Sequence, residues 1–421
     1  MNIIIRNAKI IDSYSLHNNK VVDILIKNGK IEQIAKNINA PANTKELKSK
    51  NIHVSPGWLD MQAQFCEPGF EYKEDLETGT KAAAKGGFTA VALLPNTIPV
   101  CDNKASVEYL KKYSKNNAVD IIPIGSISEG LKGENISEMY DMHLAGAAAF
   151  CNAKKSANTG LLTRALLYAK PFGSTIMDFP LSKDIAANGN VNEGVAATKL
   201  GLKGIPSVAE DLIVNRDIYL AEYCDSALHF TQVSSANALQ LIKNAKNKSL
   251  KITCGLSTYH LMLSDENLAT FDSNYKVSPP LKTQKEIKLF IKAIKENVVD
   301  VLISDHTPQH IENKRCEFDL AAYGIINLQT SFSIANTILK NEIPIKHLVD
   351  LFCNNPRKLL KKEIPLIKEG EDANITVFDP NEEWIFTEEN IVSKSKNTPF
   401  IGKKFIGKVL GIYNNKQWIE N

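Results

Sequence analysis

The chain has 421 residues and a mass of 46.6 kDa, with 43% hydrophobic and 23% charged residues, which excludes disordered, collagenous and coiled-coil classes. Fifty Lys and Arg against 47 Asp and Glu leave a formal charge of +3, too small for a nucleic-acid or anionic-membrane surface. Seven cysteines without a C-x-x-C pair fit free thiols in a reducing cytosol, and no run reaches the ~18 apolar residues that span a bilayer, so a cytoplasmic protein is expected.

The N-terminal residues read as short strands: Ile3–Ile5, Lys9–Ile11, Val21–Ile26 and, after the turn Lys27-Asn28-Gly29, Lys30–Ile34. From about Pro56, strand-length apolar runs alternate with helix-period segments. The runs are Val54–Asp60, Thr89–Leu94, Asp120–Ile124, Gly146–Phe150, Ser174–Met177, Ala227–Thr231, Leu250–Cys254 and Asp300–Ser304. Helices are expected at Glu77–Lys85, Ala105–Ser114, Leu161–Ala169, Leu212–Glu222, Asn237–Ala245 and Gln284–Glu296. The last fifty residues return to strands, at Ala373–Pro380 and Gly407–Tyr413. Eight doubly buried strands joined by helices predict an α/β fold, a (β/α)8 TIM-type barrel over 56–365, with residues 1–55 and 366–421 forming one small β-domain from both termini. An open doubly wound sheet is the alternative, but no glycine-rich dinucleotide fingerprint follows the first strand.

In a barrel of this kind chemistry belongs at the C-terminal ends of the strands. Those ends carry Gln62-Ala63-Gln64-Phe65-Cys66-Glu67-Pro68-Gly69, Pro95-Asn96-Thr97, Cys151-Asn152, Asp178-Phe179, Gln232-Val233-Ser234 and Asp305-His306-Thr307-Pro308-Gln309-His310. With Pro56-Gly57-Trp58-Leu59-Asp60, Gly69-Phe70-Glu71-Tyr72-Lys73-Glu74-Asp75, Gly86-Gly87-Phe88-Thr89, Asn192-Glu193-Gly194, Gly204-Ile205-Pro206, Tyr275–Lys282 and Ser393–Phe400, the chain resembles the dihydroorotases of the amidohydrolase superfamily in their long bacterial form. The resemblance runs from residue 56 to 400 and implies the same barrel and two-ended β-domain. It also implies a hydrolase interconverting carbamoyl-aspartate and dihydroorotate in pyrimidine synthesis, through two zinc ions held by histidines and a bridging carboxylate, with an aspartate carrying the proton. Imidazole suits that task because a neutral nitrogen binds zinc and leaves the metal's charge to acidify a bound water.

Position by position, the residues depart from that pattern. The His-x-His pair is Gln62 and Gln64, and the arginine that holds the substrate carboxylate is Cys66. The fourth-strand carboxylate falls near Asn152, with Lys154 and Lys155 just beyond. The fifth-strand histidine falls at Asp178 and the sixth-strand histidine at Gln232. His229, three residues earlier, is expected on the opposite strand face. Asp305 alone keeps its family identity among the metal and proton-transfer positions. On the substrate side Asn96 is retained, while Gln309 replaces a histidine and His310 stands one place late.

The expected protein is therefore a dihydroorotase-family scaffold with no metal and with Asp305 idle. By family analogy it serves as a non-catalytic partner of aspartate carbamoyltransferase or of an active dihydroorotase, and as a homodimer. One alternative is an active dihydroorotase with zinc on an atypical set of Asp305, Asp178 and a carboxylated Lys154 or Lys155. Others are a mononuclear site of Asp178, Asp305 and His306, or a related cyclic amidohydrolase of other specificity. Cys66 and Cys151 stand at strand ends but lack an activating histidine and read as packing residues; His260 reads as structural.

Overall fold

A computed structural model describes residues 2–115 and 117–421. Eight parallel strands form the barrel: β1 (Trp58–Ala63), β2 (Phe88–Leu93), β3 (Asp120–Ser126), β4 (Ala149–Cys151), β5 (Thr175–Asp178), β6 (Leu228–Phe230), β7 (Ile252–Ser257) and β8 (Val301–Ile303), hydrogen-bonded in that sequential order. The circle closes just beyond the strand ends, where Gln64 N donates to His306 O (2.9 Å) and Ser304 N to the Asp60 carboxylate (2.8 Å). Helices layered outside include α1 (Leu76–Lys85), α2 (Lys104–Ser114), α3 (Met139–Ala145), α4 (Thr159–Ala169), α5 (Val208–Cys224), α6 (Ala236–Asn247), α7 (Gln284–Lys295), α8 (Ser331–Leu339), α9 (Ile345–Phe352) and α10 (Asn354–Leu359).

Alternation along the strands divides the apolar residues into two layers. Leu59, Met61, Ala90, Ala92, Ile122 and Ile124 fill the barrel, whereas Val91, Ile121, Phe150, Ile176 and Phe230 face the helices. The helix starts follow local chemistry. Asp75 and Thr78 form a capping box on α1, as Thr283 and Glu286 do on α7. The predicted 146–150 strand begins later, at Ala149, because Gly146 adopts φ 113° and ends α3, a helix that the periodicity did not mark.

Both termini enter a single second sheet. The strand His53–Pro56 lies parallel to Asn2–Ile10 and antiparallel to Ile375–Ile385, which continues to Lys404–Asn414 and Gln417–Glu420. The predicted strand 54–60 is thus two strands in two sheets, divided at Gly57. A Cβ there would lie 2.0 Å from Asn374 Oδ1 and 2.1 Å from Thr89 Oγ1, so a side chain has no room where the chain crosses between sheets. Trp58 follows, fully buried, donating to Ser55 Oγ (2.9 Å) and packing against Phe332 of α8, Phe352 of α9 and Phe378 of the terminal sheet at centroid distances of 4.7, 5.7 and 5.3 Å.

Gly57→Ala is expected to lower stability by about 2 kcal/mol in urea denaturation through overpacking. Gly160→Ala, in the first turn of α4 with 3.5 Å to its nearest neighbour, is expected to change it by less than about 0.5 kcal/mol.

Candidate functional site

At the mouth of the barrel, Asp305 follows β8 in a left-handed conformation (φ 49°), and Cys66 (φ 62°) and Ala153 (φ 54°) follow β1 and β4 in the same region. Such a backbone costs free energy for residues other than glycine, and it turns the chain sharply at three strand ends. The Asp305 carboxylate is buried and fully engaged. Lys154 Nζ lies 2.7 and 2.9 Å from its two oxygens, Tyr259 donates its hydroxyl at 2.6 Å, and Gln62 Nε2 donates at 2.7 Å. Lys154 reaches this point because Ala153 redirects the chain after β4, and its ammonium also lies 5.8 Å from the centre of the Phe179 ring.

The network continues inward. Gln62 Nε2 also donates to Gln232 Oε1 (3.2 Å), and Gln232 Nε2 donates to Tyr259 Oη (3.0 Å) and Ser257 Oγ (3.1 Å). Ser257 in turn meets His260 Nδ1 at 2.5 Å, and the far nitrogen of His260 lies 3.3 Å from Pro280 O. Burial pushes the His260 imidazole down to about 4, so it is neutral, takes the Ser257 proton on Nδ1 and donates from Nε2. Burial likewise raises the Tyr259 phenol, with the adjacent Asp305 charge adding to it, so Tyr259 is a donor to Asp305 and not an anion.

The remaining sequence-selected residues divide into those that join this site and those that do not. Gln64, Asn96, Cys66 and Gln309 line a cavity of about 320 Å3 beside the network, together with Lys73 and Phe70. There Asn96 donates to Gln64 Oε1 (2.8 Å), Gln64 donates to Thr307 Oγ1 (3.3 Å) and Gln309 donates to Tyr323 O (2.9 Å). His306 has turned away, accepting from Asn327 N on Nδ1 (3.2 Å) and facing Glu74 with Nε2 (3.4 Å). Glu74 is also held by Ser393 and by Lys394 N (3.0 Å). Burial works to raise its carboxyl, but His306 and these hydrogen bonds outweigh it and lower it. His310 is half-buried beside Tyr72, Lys155 is exposed, and Asn152 accepts from Ser128 N (3.2 Å) and Oγ (3.0 Å) on the helix side.

Asp178 does not reach the mouth. It shares the outward parity of Ile176 and accepts from Ala157 N (2.8 Å) and Ser156 Oγ (2.9 Å), against Asp217 of α5 and its partner Arg216. The sets Asp178–Asp305–His306 and Asp178–Asp305–Lys154 are therefore not assembled. The expectation for His229 is corrected as well. It pairs with inward-facing Met177 and bonds Thr253 (2.9 Å), so it lies inside the barrel, and Gln232 points the same way because regular alternation stops with β6 at Phe230. Burial lowers His229 to about 3 and raises both the Cys66 and Cys151 thiols to about 12, leaving a neutral imidazole and no thiolate nucleophile.

Sequence reasoning missed Tyr259 and the role of Lys154. Tyr259 stood next to the histidine that drew attention, and Lys154 lies two residues past the position sought. A binuclear zinc centre needs imidazole, thiolate or free carboxylate donors. The residues present do not fit one: the amides of Gln62 and Gln232 are bonded to each other and Asp305 is closed by an ammonium. Among the described residues no three His, Cys, Asp or Glu side chains gather where they could hold a metal.

Residues 52–238 match the family model described as "Dihydro-orotase-like". The dihydroorotase of Geobacter metallireducens strain GS-15 is 39% identical over 405 residues, covering 96% of this chain and 95% of that protein. The chain belongs to the dihydroorotase family. The dihydroorotase of Acetivibrio thermocellus is also 39% identical, with 96% of each chain covered, and that of Caldicellulosiruptor saccharolyticus 39%, with 98% and 97%. Among solved structures, L-hydantoinase from Arthrobacter aurescens superposes with a TM-score of 0.86 at 21% identity over 100% of this chain and 96% of its own. Dihydropyrimidinase from Brevibacillus agri gives 0.84 at 21% over 100% and 95%. These likenesses establish the amidohydrolase barrel with its added β-domain, as the strand pattern predicts. No helix among the described residues is long and apolar enough to cross a membrane.

Two outcomes are expected. Lys154→Met leaves the buried Asp305 carboxylate without its cation and should cost about 3 kcal/mol in urea denaturation, with Lys154→Met/Asp305→Asn costing less than the sum of the single changes. The second concerns Asp178 and Asp217. Burial raises both, the Asp217 charge raising Asp178 further and Arg216 opposing the rise at Asp217. A carboxyl raised above its unfolded value of about 4 binds more protons when folded, so its stabilising contribution is present at low pH and is lost as pH rises through the folded value. Asp178→Asn should make the fall in stability as pH rises above about 4 shallower, leaving the same-signed share of Asp60, which burial raises to about 7.

Proposed function

We propose that this dihydroorotase-family chain works without binuclear zinc chemistry and does not turn over dihydroorotate, serving instead as a non-catalytic partner in pyrimidine synthesis. The observation that supports this reading is the Lys154 ammonium on both oxygens of Asp305. Ring opening of a cyclic amide needs an activated water and a base to carry its proton. Asp305 is the one carboxylate in the network, and its lone pairs are taken by Lys154, Tyr259 and Gln62. His260 lies behind Ser257 and His306 presents its basic nitrogen to a backbone N–H, so neither imidazole faces the cavity as a base.

The carboxylate side of the site supports the same reading. Cys66 stands where the family resemblance places an arginine, and its neutral thiol cannot make the paired hydrogen bonds by which a guanidinium grips a carboxylate. The cavity instead offers the amides of Gln64, Asn96 and Gln309. As a partner we propose aspartate carbamoyltransferase, which the family resemblance supplies.

The test combines elemental analysis of protein purified without chelator, a dihydroorotate hydrolysis assay in both directions with added zinc, and co-purification with the aspartate carbamoyltransferase of the same cell. Substoichiometric zinc, no turnover above the buffer rate and a stable complex are expected. Stoichiometric zinc accompanied by turnover overturns the non-catalytic reading, and an isolated, inactive chain overturns the choice of partner.

A further inference from the structure

A cavity unconnected with the mouth lies at the opposite, N-terminal end of the barrel strands, between the barrel and the terminal sheet. It measures about 460 Å3, within the range of small-molecule sites. Its barrel wall is formed by Ala90 of β2, Ile121 and Ile122 of β3 and Arg357 of α10, and the terminal sheet contributes Asn374, just before Ile375–Ile385, and Asn414.

Three cations line this cavity, and none has a carboxylate partner among the described residues. Arg357 is 5% exposed, and its guanidinium donates to neutral oxygens, Gly57 O (2.9 Å), Thr89 Oγ1 (3.3 Å) and Glu363 O (3.3 Å), with the Cys353 thiol also beside it. Buried guanidinium groups are ordinarily paired with an anion. Lys362 and Lys111 form a second wall without any side-chain partner, and Lys362 is lowered by burial and then by the like charge of Lys111. The Asn374 side chain, whose Oδ1 is buried, also makes no hydrogen bond. Four carboxylates also line the cavity: Asp120 is hydrogen-bonded by the neutral amides of Asn414 (3.1 Å) and Asn415 (2.9 Å), Asp372 is paired with Lys30 (3.2 Å) and Glu371 with Lys368 (3.9 Å). Glu363 is exposed.

We propose that this basal cavity binds a small phosphate monoester, its phosphate received by Arg357 and Lys362 with Lys111 at the entrance and Asn374 bonding the remainder of the ligand. A phosphate suits the arrangement because it accepts from a planar guanidinium and from ammonium groups at once. Since its walls come from both the barrel and the terminal sheet, occupancy would hold the two together, and binding would raise the melting temperature as well as release heat. The proposal is independent of the chemistry at the mouth.

Calorimetric titration of the full chain with inorganic phosphate, ribose 5-phosphate and citrate, each paired with a thermal melt, tests it. Ribose 5-phosphate is expected to bind saturably at one site and raise the melting temperature, with phosphate weaker and citrate weaker still. Lys362→Met should reduce the affinity at least about tenfold, as should Asn374→Ala, while Lys155→Met, on an exposed residue near the mouth, leaves it unchanged. Lys362 is half-exposed, so its variant is expected to melt cooperatively without ligand, and that melt is recorded first. Absence of saturable binding by both phosphates overturns the proposal. So does tighter binding of citrate, or equal affinity in wild type and a folded Lys362→Met.

Discussion

The ion pair between Lys154 and Asp305 determines what the mouth of this barrel can be. An aspartate buried at the end of the last strand carries a charge that the interior cannot solvate, and some cation has to answer it. Here an ammonium grows from the chain itself, placed by a left-handed residue after β4, and the surrounding amides and hydroxyls arrange themselves around that pair. The amide N–H groups of Gln62 and Gln232 each have an acceptor already present, while Gln62 Oε1 is buried without a partner among the described residues. The Asp305 charge is thus met by a cation from the chain itself.

Much of the fold was legible in the sequence because it rests on local periodicity. Eight apolar runs with helix-period segments between them give a barrel, and strands at both ends give a shared sheet. The misplaced boundaries have local causes: Gly57 breaks one apolar run into strands of two sheets, and Gly146 moves the start of β4. At the site, the amides Gln62 and Gln232, singled out by position, do lie together. Orientation was less accessible. Asp178 faces the helices by simple alternation from Ile176, whereas Gln232 and Lys154 lie past the ends of their strands, where alternation no longer applies. Tyr259 could not be selected by chemistry, since a phenol is commonly a core residue and its role depends on Asp305, forty-six positions away.

Two buried polar centres, the Asp305 network and the Asp178–Asp217 pair, sit on opposite faces of the same barrel wall and behave differently. The first pairs its carboxylate with the Lys154 ammonium. The second consists of two carboxyls with a single guanidinium beside them and is driven towards the protonated state. Part of the pH dependence of the fold should therefore originate in the helix layer, alongside the share of Asp60 in the barrel strand β1.

The residues around Glu74 carry a consequence for how the molecule is divided. Ser393 and Lys394 close on that carboxylate, and Asn397 joins Thr307 O (3.1 Å) to Gln309 N (3.0 Å), so a segment more than eighty residues beyond the last barrel strand forms part of the wall around the mouth. A barrel cut from the chain at its sequence boundary would keep every strand and lose that wall. Inheritance of the mouth is tied to inheritance of the whole chain, and recombination that exchanged the terminal sheet between relatives would also exchange what the barrel can hold.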